Sequence, residues 1–367
     1  MTNDLAHWLR LWHVPGIGPR SFNFLLEKFD QQPEHIFSCS YTALVAQGIP
    51  ERIATAITSC HSDEYLRDLE WLDQRHNHHI LTKSDKDYPP LLAKIAAAPP
   101  ILYIKGQLEA LDPGCRLAIV GARKSTTHGK SVAYDYSHRL AELGVTVVSG
   151  LAKGIDAQAH RGALASQQGC TIAVLANGLD TIYPAQHYTL AQSMQERGAL
   201  ISEFPPGVKP LPGHFPRRNR IISGLCLGTV VIEASMKSGS LITAQFALEQ
   251  GREIFAVPGP VNNPLNSGSH HLIQQGASLA ACIEDILLAF EPLASFLRFT
   301  GNKESERVED STDNTTPLLQ FIEYTPTSID TIIEKSGLTP DQVCSMLTEL
   351  EIGGRVVCDA YGQYSRS

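Results

Sequence analysis

The residues with the clearest chemical potential follow a short apolar run near the middle of the chain. Residues 118–120 read Ala-Ile-Val. The run ends at Gly121. Three polar residues follow, namely Arg123, Lys124 and Ser125. Residues 130–143 then carry apolar side chains at helical spacing. A strand, a glycine turn and a helix open a parallel α/β sheet, and anions bind at such turns. Two cations and two hydroxyls, those of Ser125 and Thr126, at this turn therefore predict a site for a phosphate backbone.

A second candidate reads Ser-Gly-Leu-Ala-Lys-Gly-Ile-Asp at residues 149–156. Gly150 and Gly154 let a ligand approach the backbone closely, and Lys153 can neutralise a phosphate. We expect Asp156 to cap the helix that follows. The simpler alternative is a helix entry whose lysine only faces water.

A basic run follows a proline-rich loop at residues 205–216. Its polar members are Arg217, Arg218, Asn219 and Arg220. Three arginines within four positions are hard to explain by packing alone, although one or two of them could pair with Glu203 or Glu233. The run therefore adds positive charge to the same candidate site.

A second helix start made of small residues and two aromatic rings complete the set. The helix start comprises Lys237, Ser238, Gly239 and Ser240. Phe215 and Tyr183 lie in neighbouring loops and could stack on bases, a contact worth ~1–3 kcal/mol per base that tolerates any sequence. Packing against the local core is an equally good explanation for each ring.

These residues need a scaffold that brings distant loops together, and region 112–290 supplies one. Short apolar runs alternate there with helical patterns, which predicts parallel βαβ units. The predicted strands are 117–120, 145–149, 171–175, 200–202, 229–233 and 253–257, with helices near 156–168, 186–197 and 240–250. The carboxyl ends of parallel strands share one edge of a sheet, so the candidate segments should surround one cleft. Cations spread over several loops suit a linear polyanion better than one mononucleotide.

The N-terminal part, residues 1–75, is predicted to be helical, with Gly16 and Gly18 in a turn between two amphipathic stretches. This pattern is typical of a SAM-like or helix-hairpin-helix-like module, whose glycines either contact a phosphate or only make the turn. Three histidines follow within residues 76–79. They have no cysteine or carboxylate at ligand spacing, so we expect a solvated loop rather than a metal site.

The whole chain divides into four parts. We assign a helical domain to 1–75, the sheet domain to 76–292 with its core at 112–290, a flexible acidic linker to 293–316 and a winged-helix domain to 317–367. In the last part we expect helices at 328–336 and 340–350 and a hairpin-like end near 353–354. The second of these helices has no lysine or arginine, so contact with a protein, or support of a dimer, is favoured over DNA binding.

Charge is distributed unevenly along the 367 residues. The net charge is −8, but residues 112–290 carry 14 Lys and Arg against 12 Asp and Glu, whereas residues 317–367 carry 3 against 7. A mildly basic sheet domain between acidic flanks is compatible with a local basic track. No apolar run is long enough to span a membrane and the first residues have no leader pattern, so we expect a cytoplasmic protein without membrane contact.

Several common sites are not supported by the motifs. The eight cysteines occur singly, without a Cys-x-x-Cys pair, so reduced, mostly buried thiols are expected rather than zinc ligands or disulfides. Gly121 stands alone where a dinucleotide site needs Gly-x-Gly-x-x-Gly, and Lys124 stands where a P-loop needs its first glycine. Spacing alone leaves paired carboxylates or a Ser/His/Asp set open, although no nucleophile elbow (Gly-x-Ser-x-Gly) occurs. We predict no catalytic residue, no cofactor and no metal.

Taken together, these motifs resemble the DprA/Smf family of DNA-processing proteins. The resemblance rests on residues 88–89, 102–106, 120–123, 149–157, 178–180, 183–184, 202–207, 215–224, 238–244 and 255–259, in this order. They span residues 87–280, about half of the chain. One departure is Ser-His-His-Leu-Ile at 269–273, where the family pattern has an asparagine before the Leu-Ile pair.

The resemblance implies an extended Rossmann-like domain that forms a homodimer, binds and protects single-stranded DNA, and loads RecA recombinase during natural transformation. Arg123 and Lys153 match DNA-contacting cations of the family, and residues 217–220 match its basic pocket. Two other interpretations stay open. One is a phosphoribohydrolase-like enzyme acting on a small nucleotide, although its Gly-Gly-x-Gly-Thr loop does not occur here; the other is a protein adaptor that recruits partners through the acidic C-terminal domain.

Overall fold

A large twisted sheet positions the candidate segments. The computed structural model describes residues 2–60, 63–112, 114–290, 316–319, 321–322, 327–352, 356–358 and 363–366. The strands of the sheet are β1 His78–Thr82, β2 Ile101–Gly106, β3 Arg116–Gly121, β4 Thr146–Ser149, β5 Thr171–Val174, β6 Ala199–Ser202, β7 Gly228–Ile232, β8 Glu253–Ala256 and β9 Ser278–Leu279. Their spatial order, within these described residues, is β1-β2-β6-β5-β4-β3-β7-β8-β9.

The order of the strands creates a crevice at one place in the sheet. β3 pairs in parallel with β4 on one side and with β7 on the other. From β3 the chain first builds outward through β4, β5 and β6, and then crosses over to build β7, β8 and β9. In open α/β sheets, ligands bind where the strand order reverses, beyond the carboxyl ends of the strands. The predicted α/β class with a Rossmann-like sheet is confirmed, and β1 and β2 extend it by antiparallel pairing.

Helices flank this sheet. They are α7 Pro90–Ala93, α8 Thr127–Glu142, α9 Ile155–Ala165, α10 Tyr188–Arg197, α11 His214–Gly224, α12 Gly239–Glu249, α13 Ser267–Gln274 and α14 Ile283–Leu288. The side chains of β4, β5 and β7 are buried on both faces, apart from Thr146 at the start of β4, as the apolar runs of parallel strands require. α8 begins three residues earlier than predicted, because the Thr126 hydroxyl accepts a hydrogen bond from the Gly129 amide (3.0 Å) and caps the helix.

The N-terminal helices pack directly on the sheet. They are α1 Thr2–Trp12, α2 Pro19–Lys28, α3 Pro33–Ser38, α4 Tyr41–Ala46, α5 Glu51–Ser59 and α6 Tyr65–Asp73. Trp8, Phe22 and Trp71 share one buried cluster with Tyr103 of β2 and Leu200 of β6. As a result, Met1–Ala294 forms one compact unit, and a domain boundary at residue 75 stays a prediction.

Two expectations about individual side chains are wrong. His78 is not in a solvated loop: it is a buried residue of β1, its ring stacks on Trp71 (4.2 Å between centroids), and its Nδ1 lies 2.7 Å from the Trp71 carbonyl oxygen. The described cysteines are free, but most of them are not buried, since only Cys60 and Cys226 among them are buried and Cys282 and Cys344 are exposed. Among the described residues, no cluster of His, Cys, Asp and Glu could hold a metal ion.

A second unit comprises Ser295–Ser367. Its elements are α15 Thr316–Leu319, β10 Thr327–Ser328, α16 Ile329–Ser336, α17 Pro340–Ile352, β11 Val356–Cys358 and β12 Gln363–Arg366. The strands form a small antiparallel sheet in the order β10-β12-β11, which confirms the winged-helix pattern. Residues 293–315 of the predicted linker and the glycines at 353–354 lie outside the described residues. No helix in the described part of the chain is long and apolar enough to cross a bilayer.

Candidate nucleic-acid interface

The crevice between β3 and β7 opens into a cleft of about 710 Å³. Ten of the sixteen residues singled out from the sequence line it, namely Gly121, Arg123, Lys124, Phe215, Arg218, Asn219, Lys237, Ser238, Gly239 and Ser240. Ser125, Gly150, Lys153, Gly154, Arg217 and Arg220 do not. The cleft also has an apolar wall that the motifs did not indicate, formed in part by Ile222, Ile242 and Thr243.

The loop from β3 to α8 carries two of the cations. Arg123 and Lys124 are exposed, and the guanidinium carbon of Arg123 lies 5.3 Å from the centre of the Phe215 ring. Tyr183 is 48% exposed, and its ring centre is 5.7 Å from that of Phe215. In the described part of the chain, neither Arg123 nor Lys124 forms an ion pair. Both charges are therefore available to a ligand.

A buried carboxylate holds this loop in place. Glu233 follows β7, has a positive φ of 51°, and accepts hydrogen bonds from the amide (2.8 Å) and the hydroxyl of Thr126. Gly121 is closely confined as well, since a Cβ there would lie 1.8 Å from the carbonyl oxygen of Ile232. Only glycine fits at this contact. The loop that presents Arg123 is thus anchored at both ends.

The loop from β4 to α9 lies against the first loop. The Ile155 amide donates to the carbonyl oxygen of Ala122 (3.3 Å), and a Cβ on Gly154, whose φ is +82°, would lie 2.3 Å from the same oxygen. This close approach requires a glycine and places Lys153 beside the cleft rather than in it. Lys153 is exposed and, among the described residues, forms no ion pair.

Asp156 does not cap α9 as expected, because the helix begins one residue earlier, at Ile155. Its carboxylate instead accepts hydrogen bonds from the amides of Gly150 (3.1 Å) and Ala152 (3.3 Å), which closes the loop on itself. Burial raises the pKa of Asp156, against the opposing effect of the Arg218 guanidinium and the two amides. The carboxylate thus organises the loop.

Arg218 is buried, although it belongs to a basic run that the sequence places at the site. The side chain is buried beneath the cleft and donates to the carbonyl oxygens of Gly150 (2.8 Å) and Val174. Burial lowers the pKa of Arg218 to about 10, although nearby Asp156 raises it. The guanidinium therefore ties α11 to the carboxyl ends of β4 and β5 and is held at the floor of the cleft.

Arg217 and Arg220 both form ion pairs with one buried acid, Glu203. Glu203, which has no exposed surface, accepts from Arg220 through both oxygens (2.9 and 2.7 Å) and pairs with Arg217 (3.0 Å). Arg220 also donates to the Ala97 carbonyl oxygen (3.0 Å). The expectation that some of the arginines pair with Glu203 is thus confirmed, and the expectation that Arg220 contacts a ligand is wrong because its side chain is buried.

The opposite wall of the cleft is the start of α12. The Ser238 hydroxyl caps this helix by accepting a hydrogen bond from the backbone amide of Ser240 (3.3 Å). The side-chain amide of Asn219 donates to the Gly239 carbonyl oxygen (3.3 Å). Lys237 is exposed at the same edge. Within the described residues, no ion pair neutralises Lys237. Three free cations, small polar residues, the exposed ring of Tyr183 and the half-buried ring of Phe215 can hold phosphates and stack bases.

Comparison with known proteins agrees with this geometry. The family model described as DNA recombination-mediator protein A matches residues 79–291. The chain is 44% identical to Protein Smf of Escherichia coli strain K12 over 292 residues, which cover 77% of this chain and 76% of that protein. The chain belongs to the DprA/Smf family. The description of the family model names a recombination mediator and not an enzyme. A second family model, described as the DprA winged helix domain, matches residues 303–360.

Three other DprA proteins support the same assignment. DNA processing protein DprA of Bacillus subtilis strain 168 is 46% identical over 203 residues, which cover 55% of this chain and 68% of that protein. The solved DprA structure from Streptococcus pneumoniae is 36% identical, covers 75% of this chain and 99% of that chain, and superposes with a TM-score of 0.59. DprA from Helicobacter pylori, whose structure describes a single-stranded DNA binding mode, is 27% identical with a TM-score of 0.52 and covers 60% of this chain and 96% of that chain.

Proposed function

We propose that the cleft between β3 and β7 binds single-stranded DNA without reading its sequence. The observation that carries this proposal is the grouping of Arg123, Lys124 and Lys237 around one opening, each exposed and, within the described residues, free of an internal carboxylate. Phosphate contacts of this kind position a strand but carry no sequence information. Phe215 and Tyr183 supply faces on which any base can stack.

The finer activity follows from the family. We infer that the protein protects incoming single-stranded DNA in the cytoplasm and loads RecA recombinase onto it during natural transformation and recombination. The description of the family as a recombination mediator and the DNA-processing names of its members support this inference. A mediator must hold a strand and release it, and reversible phosphate contacts allow both.

A homodimer through the Rossmann-like domain is part of the proposal. β9 lies at the end of the sheet, and exposed apolar side chains of Met236, Leu248 and Leu279 lie in that region, beside a hollow of about 450 Å³. A second copy would bury this surface, which a monomer rarely exposes. Light scattering on the full chain and on a Leu248→Glu variant tests this part. A parent protein that scatters as a monomer would contradict it.

The binding proposal is tested by a salt titration with single-stranded and double-stranded oligonucleotides of the same length. If Z phosphates are neutralised, the logarithm of the binding constant should fall with the logarithm of salt at a slope of ~−0.7Z for a single strand. Arg123→Ala should weaken binding to every sequence equally and make the slope less steep by ~0.7. Arg67→Ala, an exposed arginine of α6, is the matched control. Binding that ignores salt, or an Arg123→Ala protein that binds as the parent does, refutes the proposal.

A further inference from the structure

Two helices leave the edge of the cleft side by side. α8 begins at Thr127 directly after the loop of Arg123 and Lys124, and α9 begins at Ile155 directly after Lys153. The hydrogen bond from the Ile155 amide to Ala122 joins their starting points. About two turns from these starting points the helices are in close contact. A Cβ on Gly162 of α9 would lie 2.1 Å from the carbonyl oxygen of Tyr134 of α8.

The exposed residues of this helix pair have the chemistry of a single-strand binding surface. Lys130 lies one turn into α8, and Arg161 lies in the second turn of α9; both are exposed. Tyr134, one turn after Lys130, is 37% exposed, and its ring stacks on His138. Positive charges beside an exposed aromatic ring form the usual pattern for a strand held without sequence preference.

The acidic residues of the two helices have contacts of their own or are buried. Asp135 of α8 is exposed and accepts a hydrogen bond from Ser131 (3.1 Å), and Glu142 is paired with His138 (3.4 Å). The acid of α9 itself, Asp156, is buried. Within the described residues, Lys130 and Arg161 form no ion pair. Lys130 and Arg161 are therefore available to phosphates that lie beyond Lys124 and Lys153 at the edge of the cleft.

We propose that single-stranded DNA leaving the cleft continues over the outer face of α8 and α9, where Lys130 and Arg161 bind phosphates and Tyr134 stacks on a base. The inference rests on the proposed function, because it extends the same strand beyond the same cleft. α8 has 16 residues and is about 24 Å long, so the added surface accommodates several nucleotides. This surface makes affinity depend on strand length.

The test compares a short (about 6 nucleotides) thymidine oligomer with a long one (about 20 nucleotides). The first lies within and the second exceeds the roughly 4–16 nucleotides held by many single-strand binding sites. Fluorescence anisotropy measures the affinity of the parent, Lys130→Ala/Arg161→Ala and Tyr134→Ala. Each variant is expected to bind the long oligomer roughly tenfold more weakly and the short one as the parent does. The double variant should also lower the magnitude of the salt slope by ~1.4 with the long oligomer only.

Arg123→Ala separates this inference from the function on which it rests. It should weaken both oligomers, whereas a substitution on the helix pair should weaken only the long one. If Arg123→Ala loses binding while the double variant and Tyr134→Ala bind the long oligomer as the parent does, the helix surface carries no DNA and only the inference fails. An equal loss for both lengths in the double variant also overturns it, since that result indicates a general effect of charge. All three positions are exposed, and thermal unfolding confirms that the variants fold.

Discussion

Phe215 has the position of a stacking residue rather than a core residue. Its ring lies near both the Arg123 guanidinium and the Tyr183 ring at the mouth of the cleft. We expect Phe215→Leu to lower the affinity for single-stranded DNA by ~1–3 kcal/mol, because a leucine keeps the apolar volume and loses the π-face. The salt dependence should stay unchanged, since no phosphate contact is removed. Anisotropy titrations at several salt concentrations measure both quantities.

The comparison protein for this prediction is Arg123→Ala, which should change the slope with salt. If Phe215→Leu alters the slope as much as Arg123→Ala does, the ring acts mainly by placing the guanidinium. If affinity is unchanged, Phe215 is only a packing residue.

His160 makes the fold sensitive to acid. Its Nδ1 lies 2.7 Å from the Thr171 hydroxyl oxygen, and because that hydroxyl donates to the Val147 carbonyl oxygen (2.7 Å), the ring must donate from Nδ1. Burial lowers the pKa of His160 from 6.5 to about 3, with smaller effects of the same sign from His187 and Arg218. Between these two pH values the unfolded chain binds a proton that the folded protein excludes, so stability falls as the pH is lowered from about 6.5 toward 3.

The expected size of this effect is about 2 kcal/mol of lost unfolding free energy between about pH 7 and about pH 5. Urea unfolding at both pH values measures it, with His160→Gln as the comparison protein because glutamine does not titrate. The pKa of His13 is raised by the nearby Asp68 and Glu64 carboxylates despite its burial; His13 stabilises the fold at low pH in both proteins, so its effect cancels. An equal loss in parent and variant would contradict the assignment.

Single arginines show the limit of what local sequence reveals. Spacing indicated that residues 217–220 are basic and near the site, but it does not show which side chains are buried. Glu203, the partner of Arg217 and Arg220, lies 14 and 17 residues away from them in the chain. Only the packing of α11 on the sheet decides that Arg218 points inward. By contrast, Arg123 and Lys124 were expected at the carboxyl edge of the sheet because they directly follow a strand, and they line the cleft there.

At the scale of elements, one buried acid fixes α11. Glu203 has no exposed surface and its two arginine partners have side chains that are 7% and 38% exposed. Glu203→Gln leaves Arg220 buried without its counter-charge, and removing one partner of a buried pair costs ~3–5 kcal/mol. We expect urea unfolding to show a loss of this size. Because α11 carries Phe215 and Asn219, DNA affinity should fall as well, without a change in the salt slope.

The surface pair of Arg139 and Glu284 is the matched control for Glu203→Gln. Its side chains are 53% and 42% exposed, so Glu284→Gln should cost at most ~1 kcal/mol. Equal losses in the two variants would show that the Glu203 network does not stabilise the fold more than a solvated pair.

The elements themselves were largely predictable. Every strand expected from 117–120 to 253–257 is present, because continuous apolar runs bounded by glycines leave little choice of structure. The first residues of two helices differ from those predicted because of their caps. Thr126 caps α8, which therefore begins early, and Gly154 rather than Asp156 precedes α9. The start of β1 at His78 was not predicted, because the stacking of the His78 ring on Trp71 is a tertiary contact that leaves no local signal in the sequence.

At the scale of the whole molecule, charge is distributed unevenly along the chain. The sheet region 112–290 has more basic than acidic residues, whereas 291–316 and 317–367 carry an excess of acidic residues, 6 against 3 and 7 against 3. A phosphate backbone is attracted to the first region and repelled by the others. Overall charge thus gives no indication of the binding surface, and only its distribution does.

A chain ending at Ala294 tests which unit carries the affinity for single-stranded DNA. Met1–Ala294 is compact by itself and contains the whole cleft, so the shortened protein should fold and keep the binding of the full chain. Because the removed segment is acidic, binding at low salt should become equal or tighter, and any gain should vanish when salt screens it. Anisotropy with one long thymidine oligomer at low and high salt measures this, and Arg123→Ala in the shortened chain is the control. A loss of affinity on truncation would contradict the expectation and assign part of the DNA surface to the winged helix, whose exposed acidic residue Glu351 argues against such a role.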